Sequence, residues 1–449
     1  MPHDLISMVR PTEGSPQTTP NGHGPSVPPD AGSVAVVGLG YVGLPTALSL
    51  TIGCVVKGLD VDVHRLDAIR SRRVDLLPED LDYLGTALAD GRFNLTDNPD
   101  VLESADAVLI CVPTPVDDHL TPDLAALRMA CATVVSHARS GQTIVLTSTT
   151  FVGATRALLA KPLKGRGFEI GRDIYVAFSP ERLDPGRPDH PRNRTPRVLG
   201  GITTECMTRA RDLVACLTDA EVHVVSSPEA AELAKLHENT FRAVNLALAN
   251  ELAEICSAFG LDPIEVIDAA ATKPYAFLAH YPGPGVGGHC IPCDPHYLLW
   301  QLRACQVSTP IIEQAMARIA ARPQRVVERT VEVLSEHGRS VIGARLAVAG
   351  AAYKPGVADL RGSTAFEIIS RLRDRGAEVT YWDPLIPTLR LPDGHPLTSV
   401  TSPRGQDYDL VLVHTVLPVG AAAWVYDCPI VLDATYRFND GPHRNVQVV

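Results

Sequence analysis

No stretch of the 449-residue sequence approaches the roughly 20 consecutive apolar residues that a membrane-spanning helix needs. The first residues hold no continuous hydrophobic segment, so a secretory signal is not expected. Positive charge is in deficit: 40 Lys and Arg face 51 Asp and Glu, and the formal net charge of −11 argues against nucleic acid as a partner. A cysteine framework is missing too. The ten cysteines are scattered, and only Cys290 and Cys293 have Cys-x-x-Cys spacing. That pattern suits neither a disulfide scaffold nor a four-cysteine zinc site, and it points to a reducing cytoplasm. What is present is a globular composition, 45% hydrophobic and 20% charged, in a chain long enough for two or three cores.

Residues 1–32 are rich in Pro, Gly, Ser and Thr without an apolar period and read as a disordered tail. From Ser33 the sequence alternates short apolar runs (33–37, 54–60, 106–112, 143–147, 174–178) with helix-length segments, the pattern of a doubly wound α/β sheet over 33–225. Ser227-Pro228-Glu229 then supplies an N-cap, a first-turn proline and a first-turn acid, so one long helix is expected to about Phe259. Residues 226–335 form this helical middle. A second α/β unit, 336–449, starts its strands near 345–350, 378–382, 409–414 and 429–433, with a helix at 363–376. It repeats the fold of the first unit without its motif. The expected class is α/β, with two Rossmann-like doubly wound domains joined by a long central helix.

Gly38-Leu39-Gly40-Tyr41-Val42-Gly43 sits between a strand and a helix, where one glycine makes the turn, one admits a pyrophosphate and one packs helix on strand. Asp60 ends the next strand, placed to bond both ribose hydroxyls and to repel a 2′-phosphate, which favours NAD over NADP. Gly287-Gly288-His289-Cys290-Ile291-Pro292-Cys293-Asp294 puts a thiol behind two glycines and a carboxylate four residues on. A hydride acceptor combined with a nucleophilic thiol suggests oxidation through a covalent thioester. Lys235 and Asn239 are one helical turn apart on one face and could hold an oxyanion and a water, although the spacing suits a solvated lysine and a capping asparagine equally well. His289 and His296 could add zinc ligands on paper. No metal is expected, since zinc on Cys290 would consume the thiolate. The cations Lys354 and Arg361 flank a strand-to-helix turn suited to phosphate or carboxylate.

Together, the glycine motif with Leu44-Pro45, Cys111-Val112-Pro113-Thr114-Pro115, Ser148-Thr149, Phe178-Ser179-Pro180-Glu181-Arg182, Lys235-x-x-x-Asn239, the 287–294 segment and Lys354–Arg361 make the chain resemble the UDP-glucose/GDP-mannose dehydrogenase family. The resemblance implies two successive oxidations of a nucleotide sugar at C6, alcohol to carboxylate, with two NAD reduced. It makes Cys290 the nucleophile, Lys235 the oxyanion stabiliser supported by Asn239, Asp294 and Thr149 the groups that position water, and Glu181 an aid to thioester hydrolysis. A cation beside Cys290 is expected to lower its pKa. NAD would meet Gly38, Gly40, Tyr41, Val42, Gly43, Asp60, Arg65, Thr114, Thr149 and Arg361. The UDP-sugar would meet Phe178, Glu181, Arg182, Leu183, Lys235, Asn239, Tyr281, Gly285, Gly287 and Lys354. The central helix would form a homodimer.

The runs Ala271–Phe277 and Tyr281–Cys290 and the 178–186 segment look like the branch acting on UDP-N-acetylglucosamine or related N-acetylhexosamines, with UDP-glucose as the alternative. Some relatives carry an arginine that reaches a neighbouring subunit's substrate; Tyr275 stands near its place, with Lys273 the nearby cation. Two departures from the family stand out. Cys293 replaces an aliphatic residue and could pair with Cys290 on oxidation, and Thr364 replaces a proline, with an expected effect on helix initiation only. Readings of other classes are a two-electron hydroxyacid dehydrogenase and a non-catalytic NAD-binding protein.

Overall fold

The computed structural model describes residues 32–74, 76, 78–182, 192–417, 420–438 and 445–449; the amino-terminal tail up to residue 31 and Leu183 lie outside them. Eight strands make the first sheet: β1 (Ser33–Val37), β2 (Val55–Leu59), β3 (Phe93–Thr96), β4 (Ala107–Ile110), β5 (Thr143–Leu146), β6 (Tyr175–Phe178), β7 (Arg197–Gly201) and β8 (Val222–Val225). Their order is β3-β2-β1-β4-β5-β6-β7-β8. Every neighbouring pair is parallel except β6 and β7, which run antiparallel. Uniformly apolar strands are what a sheet covered on both faces requires. Ala35 and Val37 enter one core layer, and Val34 and Val36 the other. The helices of this unit are α1 (Gly43–Leu50), α2 (Val63–Arg70), α3 (Pro78–Ala89), α4 (Ala125–Ser136), α5 (Lys161–Gly165) and α6 (Thr204–Ala215).

The middle of the chain is helical: α7 (Pro228–Phe259), α8 (Pro263–Ala271), α9 (Asp294–Ala304) and α10 (Pro310–Glu336). The start and stop of α7 follow its sequence signals. Ser227 Oγ accepts from the Ala230 N–H at 3.2 Å, Pro228 opens the first turn, and Gly260 closes the helix in the left-handed conformation at φ +68°. Among the buried residues of α7 are Ala243, Ala247, Ala249 and Ala253. Such small side chains let α10 approach closely.

The second sheet has β9 (Arg345–Ala349), β10 (Glu378–Trp382), β13 (Leu410–Val413), β14 (Val431–Asp433) and β15 (Val446–Val448), all parallel, in the order β10-β9-β13-β14-β15. A separate hairpin pairs β11 (Thr388–Arg390) with β12 (Pro396–Thr398), and helix α11 (Thr364–Asp374) follows β9. Asp383, just past β10, accepts from the N–H groups of Ala351 and Ala352. Asp60, just past β2, accepts from Leu39 N–H at 2.7 Å in the same way. The two units therefore share a brace as well as a fold: an acid beyond the second strand holds the loop beyond the first.

Removing the α7 cap tests the first of these signals. Ser227→Ala is expected to lower stability by about 1 kcal/mol, read as a lower urea midpoint, with the helix content of the folded state unchanged.

Candidate active site

The glycines of the first βα turn do separate jobs. Gly38 has φ +87°, and a Cβ there would lie 2.8 Å from the Cys111 carbonyl oxygen. At Gly43 a Cβ would strike the Gly38 carbonyl oxygen at 1.8 Å. Both are demanded by the protein's own packing. A Cβ on Gly40 would meet nothing within 4 Å, so the protein's own packing does not demand glycine there. The space over it is a cavity of about 290 Å³ lined by Gly40, Tyr41, Leu44, Pro45, Arg65, Leu76 and Arg361. No side chain caps the N-terminus of α1, whose first residue follows Val42; Leu44 N–H donates to the Gly40 carbonyl at 3.1 Å and Pro45 has no N–H, so the positive end of the helix dipole is what this terminus offers an anion. Asp60 spends one oxygen on Leu39 N–H and the other on Asp62 N–H at 2.9 Å, leaving about half its acceptor capacity for a ribose. These residues fit a dinucleotide. Arg65 braces the loop, donating to the Leu39 carbonyl at 2.9 Å.

Cys290 owes its place to contacts between the second and third units. Gly288 N–H donates to the Arg361 carbonyl at 2.9 Å. A Cβ on Gly287 would lie 2.6 Å from Tyr353 Cβ and 2.8 Å from the Gly362 oxygen, and one on Gly285 would lie 2.6 Å from Thr364. Only glycine permits this approach. Arg361 in turn grips Asp359 and lies 4.2 Å from the Tyr41 ring centroid, reaching the cofactor cavity from the second sheet's unit. Thr364 does more than help start α11: its hydroxyl bonds His414 Nε2 at 2.9 Å, which a proline could not do.

Lys235 and Asn239 do face the thiol loop. Asn239 Nδ2 donates to Asp294 Oδ2, so the asparagine supports the carboxylate. Asp294 is 3% exposed. Burial raises its pKa from 3.8 to about 6, against the opposing pull of Lys235 and the Asn239 bond. Cys290 is exposed at the loop surface, yet the expected lowering of its pKa is not found. Desolvation by the surrounding loop, with the Asp294 charge added, pushes it above the ordinary cysteine value, and Lys235, Arg361 and Arg242 only reduce the rise. The nearby cation was read correctly but is outweighed. The resting group is a neutral thiol. Cys293 is free, as is Cys290; its N–H donates to the Cys290 carbonyl at 3.1 Å, and burial raises its thiol to about 11.

The remaining predicted residues are distributed as follows. Thr114 and Thr149 follow β4 and β5, on the cofactor side of the sheet ends; Thr114 is buried and accepts from Tyr297 OH at 3.1 Å. Phe178 ends β6 with its ring wholly inside the core, which withholds that ring from any substrate. Glu181 accepts from Arg182 N–H and from the buried Arg197, both at 2.9 Å. Arg182 also pairs with Glu238 on α7 at 2.8 Å. Tyr281 OH donates to Asp268 at 2.8 Å, and Arg437 lies 3.8 Å over its ring. Lys354 is half-buried after β9. Lys273 lies 4.9 Å from the Tyr275 ring centroid and is thus engaged within its own chain. Sequence reading missed Arg197, Asp359 and Tyr353. It also missed Glu232, whose buried carboxylate accepts from Gly153 N–H, Thr155 N–H and Thr155 Oγ1, and Gln301, which brackets Val152 at 3.0 and 2.8 Å. These two clamp the loop that follows Thr149. A glutamate within the buried stripe of a long helix was the one available signal. Among the described residues, no cluster of three or more His, Cys, Asp or Glu side chains could hold a metal.

The Asp294 value gives a pH test with a defined sign. Below pH 3.8 the carboxyl is protonated in both folded and unfolded chains and costs nothing. Between 3.8 and about 6 the unfolded chain ionises first, so stability falls as pH rises, and above about 6 the full penalty stands. Asp294→Asn is therefore expected to be more stable relative to the parent at pH 7.5 than at pH 4, by on the order of 2–3 kcal/mol, measured by urea midpoints at both pH values.

Comparison with known proteins agrees with this geometry. The sequence matches all three domains of the UDP-glucose/GDP-mannose dehydrogenase family: the NAD binding domain over residues 32–218, the central domain over 229–318 and the UDP binding domain over 347–427. It is 32% identical over 381 residues to a UDP-N-acetyl-D-glucosamine 6-dehydrogenase of Pseudomonas aeruginosa, covering 85% of this chain and 89% of that protein. It is 36% identical over 352 residues to an NDP-N-acetyl-D-galactosaminuronic acid dehydrogenase of Ralstonia nicotianae, covering 76% and 80%. A solved structure, the UDP-D-ManNAc dehydrogenase of Pyrococcus horikoshii, superimposes with a TM-score of 0.84 at 29% identity over 93% of this chain and 98% of that one. The chain belongs to the UDP-glucose/GDP-mannose dehydrogenase family and is an NAD-dependent nucleotide-sugar dehydrogenase.

Proposed function

We propose that the enzyme oxidises the C6 hydroxyl of a UDP-N-acetylhexosamine to a carboxylate in two steps, holding the intermediate on Cys290. The observation that carries this reading is the grouping of Cys290, Asp294, Lys235 and Asn239 at one loop, beside a cavity that suits a dinucleotide. NAD is the hydride acceptor for both oxidations, a fresh molecule for each.

The residues divide the remaining work. Gly287 and Gly288 keep side chains away from the reacting carbon. Once C6 is an aldehyde, the Cys290 sulfur bonds to it and the thiol proton ends on the new hydroxyl, so addition is proton-neutral and a neutral resting thiol suffices. Lys235 is near enough to affect both Cys290 and Asp294 and stabilises negative charge developing on the C6 oxygen. The second loss of hydride, together with the hydroxyl proton, leaves a thioester. Water, positioned by Asp294, Thr149 and Glu181, then adds to it; the C–S bond breaks, the carboxylate leaves and the thiol recovers its proton. Tyr281, Gly285 and Lys354 line the substrate's approach in this reading, and Arg361 reaches the cofactor.

For the sugar, UDP-N-acetylglucosamine is the first choice, since one relative is named for it and others for N-acetylgalactosaminuronate and N-acetylmannosamine. We also infer a homodimer through α7. Phe241, Leu248, Ile255 and Phe259 recur at seven- and four-residue intervals on one exposed face, with Leu248 58% and Phe259 76% exposed. Ten free cysteines fit a reducing cytoplasm.

Incubation with NAD and a panel of UDP-N-acetylglucosamine, UDP-N-acetylmannosamine, UDP-N-acetylgalactosamine and UDP-glucose is expected to yield two NADH per acid formed, the acid identified by mass spectrometry. Cys290→Ser should abolish the acid. One NADH per product, with the aldehyde or ketone released, would reject the covalent route. For the dimer, Leu248→Glu combined with Ile255→Glu should convert a dimer to a monomer in sedimentation velocity. A parent chain that sediments as a monomer would refute that interface.

A further inference from the structure

In a sheet that is otherwise parallel, the antiparallel junction of β6 with β7 has a specific consequence. Ala177 faces Gly201 and Phe178 faces Gly200. Carried three residues past the last paired position, the same register sets Glu181 opposite Arg197. The guanidinium meets that carboxylate: Arg197 Nη1 donates to Glu181 Oε2 at 2.9 Å, with the arginine side chain 2% and the glutamate side chain 10% exposed. The other oxygen, Oε1, accepts from the Arg182 N–H. Arg182 in turn ties the Glu181 backbone to Glu238 on α7, beside Asn239 and one turn beyond Lys235, and donates to the Pro196 carbonyl next to Arg197 at 2.8 Å. Both carboxylate oxygens are thus held, one by a buried charge.

We propose that Arg197 is a positioning residue for the reaction, fixing the Glu181 carboxylate as the group that serves thioester hydrolysis. This rests on the covalent reading given above. A buried arginine is costly unless it is paired, and stability alone would be served as well by an apolar pair of similar volume. The strand reversal at β7 places the charge where a catalytic carboxylate needs a fixed rotamer and a fixed counter-ion. Misplacing a reacting group by about 1 Å can cost roughly 100-fold in rate. Arg197 is 2% exposed and acts through Glu181.

The test separates the first oxidation from hydrolysis. The parent, Arg197→Met, Arg197→Lys, Glu181→Gln and the Arg197→Met/Glu181→Gln pair are each mixed with NAD and whichever UDP-N-acetylhexosamine of the panel is turned over. NADH formation is followed by stopped flow, and the acyl-enzyme by intact-protein mass. Expected for Arg197→Met is a retained early NADH burst, a covalent adduct that accumulates, kcat lowered roughly 100-fold and a nearly unchanged sugar KM. Arg197→Lys should recover part of the hydrolysis rate, and the double variant should hydrolyse no more slowly than Glu181→Gln. The proposal is overturned if folded Arg197→Met clears the adduct at the parent rate, if burst and hydrolysis slow equally, or if the two substitutions are additive. Should Arg197→Met fail to fold, Arg197→Lys against Glu181→Gln carries the same readout, since a purely structural arginine predicts an adduct in Glu181→Gln but none in Arg197→Lys. The covalent reading fails separately: acid still formed by Cys290→Ser would sink it, whereas parent-rate turnover without an adduct in Glu181→Gln would remove the roles of Glu181 and Arg197 alone.

Discussion

The contact on which the site depends is the seating of the 285–288 loop against the 353–364 segment of the second sheet's unit. Two glycines in that loop, Gly285 and Gly287, lie closer to Tyr353, Gly362 and Thr364 than a Cβ would allow, and one backbone hydrogen bond, Gly288 N–H to the Arg361 carbonyl, sets their register. The thiol emerges immediately after this contact. Its position relative to the cofactor cavity is therefore fixed by the far unit as much as by the helical middle. Arg361 completes the link, its carbonyl on the thiol loop and its guanidinium between Asp359 and the Tyr41 ring. Burial works against the Asp359 charge, but its bonds to Arg361 outweigh that and hold its carboxyl below the ordinary value.

The electrostatics around Cys290 follow from this packing. A loop pressed between units loses water, and that loss raises both the thiol and Asp294 more than Lys235 lowers them. In the proposed reaction the sulfur therefore starts as a thiol and reacts only with an electrophilic carbon delivered to it. A neutral thiol reacts slowly with stray oxidants and electrophiles, so chemistry is confined to a carbon already held in place. The cost is that the cation must act later, on charge that appears at oxygen during the reaction.

Much of this was legible in the residues. Ser227-Pro228 and Gly260 bracket α7 because capping is local chemistry, and β1, β4, β5 and β6 are largely apolar because both their faces are covered. The edge strands β3 and β8 carry exposed polar residues, and β7 opens on an arginine, so no apolar run marked them. Fold class and the two site motifs were likewise local. Asp359, Tyr353 and Arg197 were not readable, because each matters through a partner far away in sequence or across a strand reversal. The sign of the Cys290 shift was misread for the same reason: sequence shows which charges are near but not how much water is excluded.

The shared brace of the two α/β units bears on how the enzyme is supplied with oxidant. Asp60 is only partly buried, whereas Asp383 is 6% exposed and turned onto the Ala351 and Ala352 amides, with Leu385 N–H on its other oxygen. The second unit has thus kept the frame of a dinucleotide fold while closing off the acid by which such a fold grips a ribose. The proposed reaction takes two equivalents of oxidant, so the berth of the first unit is used twice. In the covalent reading proposed above, spent cofactor departs and is replaced while the half-oxidised sugar stays tethered, so the bond to Cys290 is also a mooring across the exchange.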